Sequence, residues 1–168
     1  MVAQTYSMQW TVGESQHRHP LYHAHGGAAM KAATAKRQAS LQPLSLRVLV
    51  VEDTLLHQRL AVRLLQRQGH SVTVVSNGRE AVDLLEEKQF DLVLMDVEMP
   101  VMDGLTATSL IRNHEHVGGR HTVIVGVTSS ENPEACRRAG MDAYLAKPLR
   151  LNALSETVQR LGVAFAAA

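Results

Sequence analysis

DLVLMDVEMPVMDG, residues 91–104, is an apolar run that stops on Asp96 and gives way to acid, proline and glycine. The unbroken Leu92-Val93-Leu94-Met95 has no polar alternation, which suits a strand covered on both faces, as in a parallel sheet flanked by helices. Asp96 then stands where that strand leaves the core. Open α/β sheets bind their ligands in the crevice beyond the carboxyl ends of the strands, so a carboxylate there is placed to react or to hold a metal. Aspartate at a strand end also commonly just turns the chain or caps a helix. Asp96 taken alone favours that plainer reading, and its neighbours must decide.

The chain has 168 residues, 45% of them hydrophobic, 20% charged and only 4% aromatic, which fits one globular domain with an aliphatic core and a tail. A single cysteine, Cys136, excludes an internal disulfide and fits a reducing, cytoplasmic setting. No apolar run is long enough to span a bilayer, so no membrane association is expected. The net charge of +1 hides a split: residues 1–46 hold four basic side chains against Glu14, and the remainder holds 13 basic against 15 acidic. A mildly acidic domain with a mildly basic tail lacks the concentrated patch of a nucleic-acid binder.

Residues 1–46 have no sustained period, are rich in Gln, His, Ser, Thr, Gly and Ala, and read as a disordered or linker-like extension. A short alanine-rich helix over 28–38 is compatible with them, as is a transit peptide given the scarcity of acids. His17, His19, His23 and His25 offer imidazoles, but no cysteine or carboxylate converges on them in a metal-site spacing.

From residue 47 a regular alternation begins and runs to residue 168, the expected folded domain. RVLVV ends on Glu52-Asp53, and 54–68 follows as a helix striped by Leu56, Leu60 and Leu64 and closed by Gly69. SVTVV ends at Asn77-Gly78, and Ala81, Leu84 and Leu85 stripe the next helix. The Asp96 strand precedes a helix over 105–112, after which HEHVGGRH reads as a surface loop carrying His114, His116 and His121. TVIVGV ends on Thr128; Pro133 opens a short helix that Gly140 terminates. AYLA ends on Lys147-Pro148, and Leu151, Leu154, Val158 and Leu161 stripe a last helix. Five successive βα units predict a doubly wound five-stranded parallel sheet with helices on both faces.

In the flavodoxin-like order 2-1-3-4-5 the first and third strands are neighbours, roughly 5 Å apart. Glu52, Asp53 and Asp96 therefore crowd one crevice. Like charges that close need raised pKa values or a cation among them, and a hard divalent ion with oxygen ligands, most simply Mg²⁺, resolves the conflict. Lys147 adds a second positive charge and Thr128 a hydroxyl donor. Metal, ammonium and hydroxyl together hold a tetrahedral anion in line with a carboxylate oxygen, which is the requirement for phosphoryl transfer onto Asp96.

VLVVEDT, VLMDVEMPVMDG, IVGVTSS and AYLAKPL, in that order over about residues 47–161, resemble the receiver domains of two-component response regulators, in phrasing most like those of hybrid histidine kinases and phosphorelays. The resemblance implies that Asp96 takes the phosphoryl group from a phosphohistidine on a histidine kinase or a histidine phosphotransfer protein. It implies Asp53 and Asp96 as direct Mg²⁺ ligands, with the backbone carbonyl of Glu98, and Glu52 acting mainly through a metal-bound water. Lys147, with a cis Lys147-Pro148 bond, pairs with the phosphate. Thr128 turns toward it, and Tyr144 moves inward as the switch that remodels the face of the fourth helix, fifth strand and fifth helix for a downstream protein. Such a module labels and unlabels itself but is not a turnover enzyme.

Thr54 and His57 stand where many such receivers carry asparagine, a departure that touches partner contacts or local capping. Glu98 and Ser130 occupy positions that tune phosphoryl lifetime in that family. Two alternatives remain: a degenerate receiver used as a constitutive interaction domain, and a haloacid-dehalogenase-like phosphatase, which would ordinarily want a second aspartate where this chain has Glu98. Only residues 162–168 follow the last helix, so output is expected to run through protein contacts, or the chain is a piece of a longer hybrid protein.

Overall fold

The computed structural model describes residues 4–6, 45–118, 120–129 and 132–163. A short strand, β1 (Gln4–Tyr6), is followed by five that run parallel: β2 (Arg47–Val51), β3 (Ser71–Val75), β4 (Leu92–Asp96), β5 (Ile124–Thr128) and β6 (Ala143–Ala146). The helices are α1 (Leu55–Arg67), α2 (Gly78–Glu87), α3 (Gly104–Gly118), α4 (Pro133–Ala139) and α5 (Leu151–Arg160). The sheet order β1-β3-β2-β4-β5-β6 contains the expected 2-1-3-4-5 arrangement of parallel strands. β1 is an addition to it. Gln4, Thr5 and Tyr6 pair antiparallel with Val74, Thr73 and Val72, covering the outer edge of β3. Other expectations for the extension, namely its linker character, the helix over 28–38 and the histidines at 17, 19, 23 and 25, concern residues outside the described ones.

The run that opened the reading is buried on both sides. Leu92 and Leu94 join a core with Ala61 and Leu65 of α1 and Leu154 and Val158 of α5. Val93 and Met95 join the opposite core with Ala81 and Val82 of α2, Ala107 and Ile111 of α3 and Cys136 of α4. Burying each such large aliphatic side chain is worth about 1.5–3 kcal/mol, so a strand with two covered faces has no position left for a polar residue until it ends at Asp96.

Local signals fix the helix starts. Asn77 caps α2 by accepting from the Glu80 N–H at 3.0 Å, and the Glu80 carboxylate reaches back to the Ser76 N–H at 3.0 Å. Asn132 and Pro133 open α4, and Gly140, at φ +96°, ends it.

Two helices depart from expectation. Leu55 and Leu56 of α1 are 66% and 73% exposed, and Ala61 and Leu65 face the core instead of the predicted Leu56-Leu60-Leu64 stripe. Apolar residues cover more than half the circumference of α1, so leucine spacing does not say which side turns in. α3 runs on to Gly118, past the predicted end at Arg112, which puts His114 and His116 on a helix and not in a loop. The extra turns lack an apolar period but are braced by Arg112 donating to Glu115 at 2.6 Å and by Glu115 accepting the Thr122 N–H at 2.7 Å.

Candidate functional site

The register of the central strands sets the site. Val51 pairs with Met95 across β2 and β4, so the next residues, Glu52 and Asp96, emerge side by side. Asp96 pairs with Val127 on the other side, which brings Thr128 to the same edge, and Thr128 pairs with Ala146, the residue before Lys147. The Lys147 N–H donates to the Thr128 carbonyl at 2.8 Å, and the Lys147-Pro148 peptide is cis.

Glu52 and Asp96 are 6% and 3% exposed, an expensive burial for two acids. Lys147 Nζ donates to Asp96 Oδ2 at 2.6 Å and to Glu52 Oε2 at 3.0 Å. The second oxygen of Asp96 accepts the Glu98 N–H at 3.2 Å. Glu52 Oε1 accepts the Thr54 N–H at 3.2 Å and faces His57 Nδ1 at 3.1 Å. Asp53 is exposed, and its Oδ1 accepts the Thr54 hydroxyl at 3.1 Å. Each of Glu52, Asp53 and Asp96 offers a carboxylate oxygen, and these lie within 4.8 Å of one another.

Three acids and one lysine leave a formal excess of two negative charges. Burial pushes the Asp96 carboxyl up; the Lys147 hydrogen bond opposes the rise and the Glu52 charge adds to it. Burial also works against ionised Glu52, but bonds from Lys147, the Thr54 amide and His57 outweigh it and hold Glu52 below the usual carboxylate value. Lys147 would be lowered by burial, yet its two carboxylate partners raise it above the ordinary lysine value. Lys147 therefore favours its charged form between the two carboxyl groups. All-oxygen donors with surplus negative charge suit a hard divalent cation.

Gly104, eight residues after Asp96 and the first of α3, is constrained in a way its sequence hides. A Cβ on Gly104 would lie 2.1 Å from the Asp96 carbonyl oxygen, so α3 can start this close to the end of β4 only with glycine there. Gly104 N–H bonds the Val97 carbonyl at 3.0 Å, and Gly78 N–H holds the Met102 carbonyl at 3.0 Å. Val101, in the same loop, has φ +70° and is exposed.

Of the anticipated residues, Glu52, Asp53, Asp96 and Lys147 share one cleft, with Thr128 buried at its edge. Glu98 is exposed beside Asp96, and Tyr144 is 49% exposed on β6. Ser130 is outside the described residues. His57 and Gln58 were missed as parts of the site. His57 meets the Glu52 carboxylate, and Gln58 Nε2 donates to the Glu52 carbonyl at 2.7 Å. Their signal was positional: both lie in the first turn of the helix that follows the acidic pair.

The family model of the response regulator receiver domain matches residues 48–159. The chain belongs to that family. A probable histidine kinase 1 of Oryza sativa subsp. indica is 31% identical over 162 residues, covering 77% of this chain and 17% of that protein. The receiver domain of a sensor histidine kinase of Pseudomonas aeruginosa, with a magnesium ion coordinated in its active site cleft, is 37% identical over 70% of this chain and 97% of that one, with a TM-score of 0.63. The co-crystal structure of the Saccharomyces cerevisiae histidine phosphotransfer protein Ypd1 with the receiver domain of its downstream response regulator Ssk1 is also similar. Its identity is 31% over 70% of this chain and 89% of that one, with a TM-score of 0.65. The chain spans less than a fifth of the length of the relatives first matched, which are histidine kinases. It is therefore a receiver module of two-component phosphorelay signalling, and the phosphatase alternative is not favoured. No helix among the described residues is long and apolar enough to cross a membrane.

Proposed function

We propose that this receiver takes a phosphoryl group from a phosphohistidine onto Asp96 and presents an altered surface while it holds it. The observation that carries this is a nearly buried aspartate 2.6 Å from a lysine, with two more carboxylates close by, at the carboxyl edge of the sheet. An Asp96 oxygen forms the new O–P bond, the P–N bond to the imidazole breaks, and the imidazole leaves. Asp53, Asp96 and the Glu98 carbonyl would hold Mg²⁺ directly, with Glu52 reaching it through water. Bound there, the ion offsets the charge of the carboxylates and of the incoming phosphoryl oxygens.

Lys147, already charged and centred between Glu52 and Asp96, holds a phosphoryl oxygen. Thr128 donates its hydroxyl to another, and half-exposed Tyr144 moves inward behind it, changing the face made by α4, β6 and α5. That face is the proposed site of a downstream protein. The donor is a histidine kinase or a histidine phosphotransfer protein. Leu55, Leu56 and Leu60, exposed on α1 beside the cleft, supply an apolar surface for it. The proposed receiver domain runs over 47–168, with Gln4–Tyr6 added to the edge of its sheet and the rest of 1–46 as a linker-like extension, in a cytoplasmic protein that turns over no substrate of its own.

Incubation with acetyl phosphate and Mg²⁺ tests this. An acid-stable, alkali-labile acyl phosphate is expected, absent from Asp96→Asn and absent in EDTA. Undiminished labelling of Asp96→Asn would overturn the assignment.

A further inference from the structure

His57 meets a cleft carboxylate in a contact that the proposed chemistry leaves unused. It occupies the first turn of α1, is 46% exposed, and aims Nδ1 at Glu52 Oε1 across 3.1 Å. To donate there it takes the tautomer protonated at Nδ1. The carboxylate it meets is otherwise held by the Thr54 N–H on the same oxygen and by Lys147 on the other. The terminal torsion of a glutamate is broad, so partners decide where its oxygens point. Lys147 is an uneven partner, bonded to Asp96 at 2.6 Å and to Glu52 at 3.0 Å. Once Lys147 turns to a phosphoryl group on Asp96, Thr54 and His57 are the donors left to Glu52.

We infer that His57 is a positioning residue that fixes the Glu52 carboxylate toward the divalent cation and so sets the cation affinity of the site; the inference rests on the proposed Mg²⁺-dependent reading of that cleft. Hydrogen-bond partners of metal-site carboxylates typically change metal affinity by about 10-fold or more when removed. Asparagine carries its amide nitrogen the same number of bonds from the backbone as Nδ1, so it can restore the contact without an imidazole.

The test is titration of the full chain with MgCl₂ by calorimetry, for the wild type, His57→Ala and His57→Asn, together with the Mg²⁺ concentration that half-saturates labelling by acetyl phosphate. His57→Ala should weaken Mg²⁺ binding and raise the half-saturating concentration about 10-fold, while His57→Asn returns both to within about 2-fold of the wild type. Melting in EDTA should be the same for all three, as expected of a half-exposed side chain. Wild-type affinity in His57→Ala, no recovery in His57→Asn, or a large drop in the EDTA melting temperature would each overturn the inference while leaving phosphorylation of Asp96 intact. A wild type that binds no Mg²⁺ and takes no label would instead overturn the reading beneath it.

Discussion

At the amino end of the sheet Arg112 donates to Glu115 at 2.6 Å, to Asp142 at 2.8 Å, and to the carbonyls of Gly140 and Thr122 at 2.8 and 3.0 Å. At the carboxyl end Lys147 lies between Glu52 and Asp96, and His57 meets Glu52 from α1. The acids of the first cluster are saturated: Asp142 also accepts the Ile124 N–H at 2.7 Å and meets His121 Nε2 at 2.6 Å, and Glu115 takes the Thr122 N–H. The network closes on itself and clamps α3 to the loops that lead into β5 and β6. The second cluster sets one lysine against three acids, Glu52 and Asp96 buried and Asp53 exposed, with carboxylate oxygens close enough to share an ion. A charged cluster that completes its own bonds is a brace. One that leaves negative charge unanswered is suited to a cation.

This contrast can be broken most forcefully at Gly104. Gly104→Ala drives a Cβ into the Asp96 carbonyl, and backbone cannot give way as a flexible side chain can. A loss of about 4 kcal/mol is expected, read as a collapse of the urea midpoint or as failure to fold; a wild-type midpoint would show that the β4–α3 junction is looser than drawn. Lys147→Met comes next. Without the ammonium, Glu52 and Asp96 are buried acids facing each other, and removing one partner of such a cluster costs about 3 kcal/mol. Added Mg²⁺ should restore part of that stability in the variant, and no restoration would mean that the carboxylates do not share an ion.

Arg112→Ala tests the other end. Four acceptors each lose one donor, with an expected cost of about 2 kcal/mol, but Mg²⁺ affinity should not change, because the brace and the cleft are separate clusters. A shift in Mg²⁺ affinity would tie them together.

The smallest effect is a pH dependence at the amino end. Burial holds His70 below the ordinary histidine value of 6.5, and its Nδ1 accepts the Leu46 N–H at 3.3 Å. The unfolded chain therefore binds a proton there before the folded one does. The His70 contribution is complete above the unfolded value and is lost as pH falls below it. The melting temperature should drop on acidification through that window, with a shallower slope in His70→Leu; equal slopes would remove His70 as the cause.

The sheet and most of the cleft were legible because they rest on one signal, the apolar run that ends in a charge. Val48–Val51 and Leu92–Met95 admit no polar residue between two covered faces, so Glu52 and Asp96 mark the strand ends directly. Lys147 and Thr128 were readable from the same logic applied to later strands. What was not legible depends on which way a helix turns or how far a side chain reaches. Leu56 and Leu60 on α1 look like core by spacing and are exposed. α3 extends past Arg112 on polar bonds that carry no period. His57 reaches back to Glu52 only because α1 starts immediately after β2, and β1 pairs by backbone bonds that three residues of ordinary sequence do not announce. Gly104 was visible as a turn residue, while its clash with Asp96 belongs to three-dimensional closeness alone.

The central claim is that surplus carboxylate charge at the carboxyl edge binds one divalent ion, and calorimetric titration of the wild type and of Asp53→Asn with MgCl₂ tests it most directly. Asp53 is exposed and its loss leaves the Glu52, Asp96 and Lys147 bonds in place, so folding is not at issue. The account predicts a single site in the wild type and affinity reduced by about 10-fold or more in Asp53→Asn. A wild type that takes up no Mg²⁺, or an Asp53→Asn that binds it equally well, would contradict the account.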